Sequence, residues 1–156
     1  MIDTKELPIA SPQKRLLSFM IDDFVIVFFI LVIFYAQLME IASHLPSELT
    51  SEAITNFQLE LNQFSADNLF IFIAIKILYH TVTVWHNGMT IGKYIVKLQV
   101  VDLGTVQHPT LLKALGRASL RIVSEIVFYL GFLLAFFTPQ KQTLHDKLSN
   151  CVVVDG

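Results

Sequence analysis

Five ionisable side chains interrupt the three long apolar runs of this sequence, where a charged group needs either a partner or a function. They are Asp22 and Asp23 in the first run, Lys76 and His80 in the second, and Glu125 in the third. Carboxylates and histidines inside a membrane are the usual members of proton and cation pathways. We therefore interpret these five residues as a candidate route for protons or Na⁺.

A structural interpretation competes with this one, because opposite charges occur near each carboxylate. Arg15 or Lys76 could pair with an aspartate of the first run, and Glu125 could pair with Lys76 or Arg121. Arg15 and Asp22 are seven residues apart and share a helix face, so they are expected to be structural partners. Two adjacent aspartates cannot both face Arg15, which leaves the second aspartate for other work.

The elements that must position these residues are apolar helices. The chain has 156 residues, of which 54% are hydrophobic and 15% charged, and its mean hydropathy is +0.61. Soluble domains carry about a quarter charged residues, so little water-facing surface can be built here. The runs predict transmembrane helices over about 16–39 and 69–86, and a third segment over 118–137 that either spans or re-enters the membrane. The net charge of −2 argues against a nucleic-acid partner.

The segments between the runs differ in charge, and this difference predicts the orientation. The linker 40–68 has no Lys or Arg, whereas 87–117 is basic, so the positive-inside rule predicts a cytoplasmic N-terminus and 87–117 segment with 40–68 outside. Residues 96–101 alternate like a strand and should pair with 151–154. The predicted fold is thus a single all-α membrane domain, 1–156, with a small cytoplasmic β element. A re-entrant third segment, which puts the C-terminus in the cytoplasm, is favoured over a spanning one.

Two further helices are predicted outside the apolar runs. The outside linker has apolar residues at helical spacing, typical of an amphipathic helix on a membrane surface: Leu49, Ala53, Phe57, Leu61 and Phe64. After Pro109 and Thr110, a second helix repeats a basic residue at every fourth position: Lys113, Arg117 and Arg121. We interpret these three residues as a basic face that contacts anionic lipid head groups.

Four short motifs follow one another along nearly the whole chain. They are Arg15-Leu-Leu-Ser18-Phe-Met-Ile21-Asp22, Gly88-Met-Thr90-Ile-Gly92-Lys93, Leu98-Gln-Val-Val-Asp102 and Thr143-Leu144-His145-Asp146. Their order resembles the RDD family of small bacterial integral membrane proteins, named for one Arg and two Asp. By that resemblance Arg15 and Asp22 are the named Arg and first Asp. Asp146 is the preferred second Asp, with Asp102 as the alternative.

Because RDD members are bacterial integral membrane proteins, the resemblance implies a multi-pass protein of the bacterial inner (plasma) membrane. RDD members have also been proposed as transporters, including cation/proton exchangers. One hypothesis is a small transporter of protons or Na⁺, which would act as a homo-oligomer because two or three helices cannot surround a path. The alternative is a non-transporting scaffold or assembly module that binds other membrane proteins or anionic lipids. We expect no enzymatic activity, cofactor or metal, because no nucleophile–base pair or ligand cluster is visible.

Overall fold

The fold combines membrane-length helices with a small sheet. A computed structural model describes residues 7–46, 48, 50–126, 134, 137, 138 and 140–156. The elements in chain order are α1 (Pro12–Ile33), α2 (Tyr35–Ser43), α3 (Ser51–Asp67), α4 (Leu69–Asn87), α5 (Ile91–Ile95), β1 (Leu98–Asp102), α6 (Leu111–Ile126), α7 (Leu144–Leu148) and β2 (Cys151–Asp155).

Two helices, α1 and α4, are long and apolar enough to cross a membrane. The mean hydropathy of the most apolar 18-residue window is 2.6 in α1 and 1.5 in α4, and only 17% of each window is buried. A helix that exposes so many apolar side chains suits lipid rather than water. The predicted helix over 69–86 is confirmed by α4.

The prediction of one continuous helix over 16–39 was wrong, because Phe34 separates α1 from α2. The backbone of Phe34 has φ −100° and ψ 17°, outside the helical region. Its buried ring packs edge-on against Phe64 and Phe72, with ring centroids 5.6 and 5.3 Å apart. This aromatic cluster joins α1, α3 and α4 at the end of α4 that lies away from the sheet.

The predicted amphipathic helix of the linker is confirmed by α3. Thr50 caps it, accepting a hydrogen bond from the backbone N–H of Ala53 at 3.2 Å. The partly buried face includes four of the five residues that the spacing identified: Ala53, Phe57, Leu61 and Phe64. Leu49 lies outside the described residues.

The predicted pairing of two strands is also confirmed. β1 and β2 are antiparallel, with Val100 opposite Val153, and Ile9 adds an isolated bridge to Val154. Val84 of α4 belongs to the same buried cluster as Val100 and Val153. The sheet is therefore packed onto the last turns of α4.

α6 confirms the helix predicted after Thr110, and it packs along α4. The predicted third apolar segment, 118–137, is described as a helix only as far as Ile126. Residues 127–133, 135, 136 and 139 lie outside the described part of the chain. Whether this segment spans or re-enters the membrane therefore stays a prediction.

Candidate functional site

The first of three polar clusters, the Asp22 site, surrounds a fully buried carboxylate. Asp22 is 0% exposed. Its Oδ1 accepts hydrogen bonds from Tyr79 Oη at 2.8 Å and from the Gly92 backbone N–H at 2.8 Å, and its Oδ2 accepts one from Thr90 Oγ1 at 2.6 Å. Lys93 Nζ lies 3.7 Å from Oδ2. Three positioned donors and one cation thus compensate the burial of this charge.

The local sequence explains how the chain reaches Asp22. Gly88 ends α4 with φ 70°, a left-handed conformation that glycine adopts without strain. Thr90 then caps α5 by accepting a hydrogen bond from the Lys93 N–H at 3.3 Å. A Cβ on Gly92 would lie 2.2 Å from the Ser18 carbonyl oxygen, so only glycine allows this close approach of α5 to α1.

The second cluster, the Asp146 site, is a buried carboxylate between two arginines. Asp146 is 1% exposed. Arg117 donates to its Oδ1 from Nε at 2.8 Å, with Nη2 at 2.6 Å, and Arg15 Nη1 donates to Oδ2 at 3.1 Å. Asp146 also closes a capping box with Thr143 at the start of α7, and His145 Nε2 lies 3.8 Å from Oδ1.

Arg15 links the start of α1 to two distant parts of the chain. Besides Asp146, its guanidinium donates to the carbonyl oxygens of Lys141 at 2.6 Å and Val153 at 2.9 Å. The expected pairing of Arg15 with Asp22 is therefore wrong. The guanidinium turns toward the sheet, where an ionised carboxylate and two carbonyls accept its hydrogen bonds, while Asp22 is satisfied by α4 and α5.

Burial and neighbouring charges shift the pKa values of groups outside the two candidate spans. Burial lowers the pKa of Lys93 from 10.5 to about 7, although the nearby Asp22 opposes the shift. Burial likewise lowers the pKa of His145 to about 3, against the attraction of Asp146. Burial alone would raise the pKa of Asp146, but Arg117, His145 and Arg15 hold it far below its usual range. At neutral pH, His145 is neutral and Asp146 ionised.

The third cluster, the interhelical network, joins α1, α4 and α6. Lys76 Nζ lies 2.8 Å from Glu125 Oε2 and 3.9 Å from Asp23 Oδ1. Arg121 mirrors it, with Nε 3.1 Å from Glu125 Oε1 and Nη2 3.8 Å from Asp23 Oδ1. Two carboxylates thus face two cations. The distances to Asp23 are too long for direct hydrogen bonds.

His80 completes the interhelical network. Arg121 Nη1 lies 3.4 Å from His80 Nδ1. Because a guanidinium only donates, Nδ1 must accept, and the neutral ring then carries its hydrogen on Nε2. Three buried polar atoms of the network have no hydrogen-bond partner among the described residues: Asp23 Oδ1, His80 Nε2 and Arg121 Nη2.

A fifth carboxylate, Asp102 at the end of β1, has a structural environment. It lies 2.5 Å from Lys113 Nζ and accepts from the Gly104 N–H at 2.9 Å. These interactions lower the pKa of Asp102 although its burial acts in the opposite direction. Among the described residues, no group of three or more His, Cys, Asp or Glu side chains could hold a metal ion.

Comparison with known proteins places this arrangement in a family. A model of the RDD family matches residues 9–150 of the chain. The chain belongs to the RDD family. It is also similar to an uncharacterized protein, RP437, of Rickettsia prowazekii (strain Madrid E), with 29% identity over 96 residues. That match covers 60% of this chain and 53% of the relative, so the chain spans about half the length of the curated relative it matches. No solved structure matches.

In this RDD-family chain, the five predicted pathway residues separate into two environments. Asp23, Lys76, His80 and Glu125 come together in the interhelical network, whereas Asp22 lies in its own saturated site. The predicted pairing of Glu125 with Lys76 and Arg121 is confirmed. The family-motif residues also divide: Gly88, Thr90, Gly92 and Lys93 build the Asp22 site, and Leu144, His145 and Asp146 form α7.

The expected contact of a basic face with lipid head groups was wrong for Arg117 and Arg121. Both are buried, at 8% and 6% exposure, and both are paired with carboxylates. Lys113 is partly exposed but pairs with Asp102. The four-residue spacing correctly identified one face of α6, and that face is turned toward the acids of α1, β1, α6 and α7.

Sequence reasoning missed two members of the RDD sites. Tyr79 lies in an apolar run, where a tyrosine usually reads as an interface or core residue, yet its hydroxyl bonds Asp22 and accepts from the Ile91 N–H at 3.1 Å. Arg117 was assigned to lipid, although it is the principal partner of Asp146. The sequence offered one signal for Tyr79. It lies three residues after Lys76 and therefore shares its helix face, and Lys76 was a candidate partner for an aspartate of the first run.

Proposed function

We propose that this RDD-family protein is a small multi-pass protein of the bacterial plasma membrane that moves protons, or exchanges them for Na⁺, with Asp23 as the carboxylate that takes up the cation. One observation carries the proposal. Asp23 Oδ1 is buried without a hydrogen bond among the described residues, 3.9 Å from Lys76 Nζ and 3.8 Å from Arg121 Nη2. This oxygen therefore has an unused acceptor position, which a proton or a cation could fill.

The neighbouring Asp22 is a poorer acceptor. Both of its carboxylate oxygens already accept hydrogen bonds from donors on α4 and α5. A proton or cation arriving there must displace one of those donors and leave it buried and unpaired, which costs about 1 to 3 kcal/mol. Asp23 carries no such cost, so exchange is assigned to it.

Lys76 is the counter-charge that an arriving cation would displace. Its ammonium group sits on a flexible stem and is held closely by Glu125 at 2.8 Å, but only loosely by Asp23. When Asp23 binds a proton or Na⁺, Lys76 can remain with Glu125. Arg121 is less free to move, because it contacts Glu125 and His80 and lies 4.6 Å from the ring centre of Phe19.

The orientation and the oligomer belong to the same proposal. The basic segment 87–117 and the N-terminus lie in the cytoplasm, and the linker 40–68, which lacks Lys and Arg, lies outside. One copy exposes the apolar faces of α1 and α4 rather than a polar wall around a path. We therefore include a homo-oligomer, in which neighbouring copies enclose the side of Asp23 that remains partly exposed.

A matched pair of variants tests the proposal in proteoliposomes that contain a pH-sensitive dye. Asp23→Asn should abolish proton flux, with or without a Na⁺ gradient, while leaving the melting temperature in detergent close to that of the unsubstituted protein. Asp22→Asn should retain flux, because an amide oxygen can accept from Tyr79 and Gly92 while the amide nitrogen donates to Thr90. Loss of flux in Asp22→Asn alone, in a folded protein, would reassign the pathway to Asp22.

A second candidate function is a non-transporting scaffold that binds other membrane proteins or anionic lipids. It is favoured by the saturation of two carboxylates of the family motifs, since Asp22 and Asp146 both hold separate elements together. Flux that is indistinguishable from empty vesicles in the unsubstituted protein would support this candidate and exclude transport. Co-purification of one stoichiometric membrane partner from native membranes would then identify what it binds.

A further inference from the structure

α6 has its polar and apolar faces reversed relative to a helix on a water-soluble protein. The buried side chains on its inner face include Arg117, Arg121 and Ser124. The exposed side chains on its outer face are mostly apolar: Leu111, Leu112, Leu115, Val123 and Ile126, with Leu112 79% and Ile126 70% exposed. A soluble helix turns its charged side chains outward, so this pattern indicates an apolar solvent around α6.

The contacts between α4 and α6 give the depth of α6. Going along α6, Arg121 lies beside His80 at 3.4 Å and Glu125 beside Lys76 at 2.8 Å, so the two helices run antiparallel. Lys76 lies close to the middle of α4, about 16 Å along the axis from Asn87. If α4 crosses the membrane, Glu125 lies near the midplane.

The described residues from Lys141 onward are back at the level where α6 begins. Lys141 accepts a hydrogen bond from Arg15, which lies about 12 Å before Asp23 along α1. The start of α6 and the segment from Lys141 therefore lie on the same side of the molecule, next to the sheet.

We propose that α6 enters the membrane from the side of the sheet and reaches about its midplane at Glu125, and that its outer face, defined here as Leu112, Leu115, Val123 and Ile126, contacts the acyl chains of a single leaflet. α6 packs against α4, and both candidate membrane helices, α1 and α4, also expose apolar side chains. Lys113, which pairs with Asp102, lies at the point where α6 would enter the membrane. The proposal is independent of ion movement, since it holds for a transporter and for a scaffold.

Spin labels on the full chain in phosphatidylcholine vesicles test the contact with lipid. In a Cys151→Ser background, single cysteines are placed at exposed positions, where they should be tolerated: Leu112→Cys, Leu115→Cys, Val123→Cys, and the control Thr105→Cys in the loop after β1. The ratio of collisions with oxygen to collisions with a water-soluble nickel complex should rise severalfold from Leu112 to Val123. It should be lowest at Thr105.

Three results would overturn the proposal. Nickel access at Val123 equal to that at Thr105 would place α6 in water. Exclusion of both reagents at Val123, with dipolar broadening between labels, would show that a second copy of the chain covers this face. Labelling of Thr105→Cys and Lys147→Cys by a membrane-impermeant maleimide from opposite sides of uniformly oriented vesicles would show a complete span. Labelling of both from the same side, opposite to Glu52→Cys, supports the entry of α6 from the side of the sheet.

Discussion

Asp22 and Asp23 are adjacent in the sequence and have opposite surroundings in the structure. Asp22 is fully buried, and neutral donors held by the backbone of α5 and by Tyr79 saturate its oxygens. Asp23 is partly exposed and faces two long cationic side chains, neither of which reaches hydrogen-bonding distance. The two adjacent carboxylates therefore differ in kind. Asp22 holds α1, α4 and α5 together through its hydrogen bonds, whereas Asp23 Oδ1 accepts no hydrogen bond among the described residues.

The difference follows from helix geometry. Consecutive residues on a helix point about 100° apart, so Asp22 faces α5 while Asp23 faces α6 and the middle of α4. The Thr90 hydroxyl and the Gly92 N–H at the start of α5, together with the Tyr79 hydroxyl of α4, surround the first carboxylate at short distances. Long, flexible side chains surround the second and can adjust. We expect the first position to govern stability and the second to govern any exchange.

The largest expected effect comes from removing each carboxylate in turn. Asp22→Ala leaves buried donors from Tyr79, Thr90 and Gly92 without an acceptor, and Lys93 without its partner, which should cost about 3 to 5 kcal/mol. Asp23→Ala should cost about 1 kcal/mol or less. Denaturant unfolding in detergent, followed by the fluorescence of Trp85, measures both. Equal losses would remove the distinction between the two residues.

A second substitution tests whether the Asp22 site depends on close helix contact. Gly92→Ala places a methyl group 2.2 Å from the Ser18 carbonyl oxygen and 2.9 Å from Asp22 Oδ1, so α5 must move away. A loss of about 2 to 3 kcal/mol is expected. Gly116→Ala in α6 is the matched control: its Cβ would meet nothing within 4 Å. That variant should gain about 0.5 to 1 kcal/mol, and a loss comparable to that of Gly92→Ala would contradict the contact argument.

The pH dependence of stability tests whether the burial of Lys93 lowers its pKa. The pKa of Lys93 falls from 10.5 to about 7 on folding, among Asp22, Arg117, Arg121 and Asp146. Between those two pH values the unfolded chain holds a proton that the folded chain has released, so stability should rise with pH, by at most about 1.4 kcal/mol per unit. Thermal melts from pH 7 to pH 10 measure it.

A pair of variants isolates the contribution of Lys93 to that slope. Lys93→Met should flatten the rise, whereas Lys147→Met, at an exposed position, should leave it unchanged. A slope that survives in Lys93→Met would assign the pH dependence to another group.

The smallest effect tests one hydrogen bond of the Asp22 site. Tyr79→Phe removes the hydroxyl that donates to Asp22 and accepts from Ile91, and about 1 kcal/mol of stability should be lost. Tyr94→Phe is the control, because Tyr94 is 71% exposed. The two variants should differ in denaturation midpoint, and identical midpoints would mean that Asp22 does not need the tyrosine.

Local patterns in the sequence predicted most elements of the fold. The period of two in 96–101, the helical spacing in the linker and the four-residue basic repeat all correspond to elements of the structure. These signals are reliable because each depends on one short segment and its solvent. The break at Phe34 had no such signal, since it coincides with contacts to Phe64 and Phe72, which are distant in sequence.

The partners of the charged groups were harder to predict. Spacing placed Arg15 and Asp22 on one face of a helix, but a long guanidinium reaches across elements and found Asp146 more than a hundred residues away. The direction of the basic face of α6 was missed for a related reason. A periodic pattern identifies which side chains share a face, and only the distribution of acids in three dimensions decides whether that face turns outward or inward.

The contacts of Arg15 also set an order of events during synthesis. α1 carries this guanidinium near its start, but its acceptors on Lys141, Asp146 and Val153 lie 126, 131 and 138 residues later in the sequence. At about 5 to 20 residues per second, the ribosome adds Lys141 about 6 to 25 s after Arg15. Until then Arg15 lacks all three of these acceptors, so water or another anion must solvate its charge. Residues made more than a hundred positions after α1 are thus the ones that hold its start against the sheet.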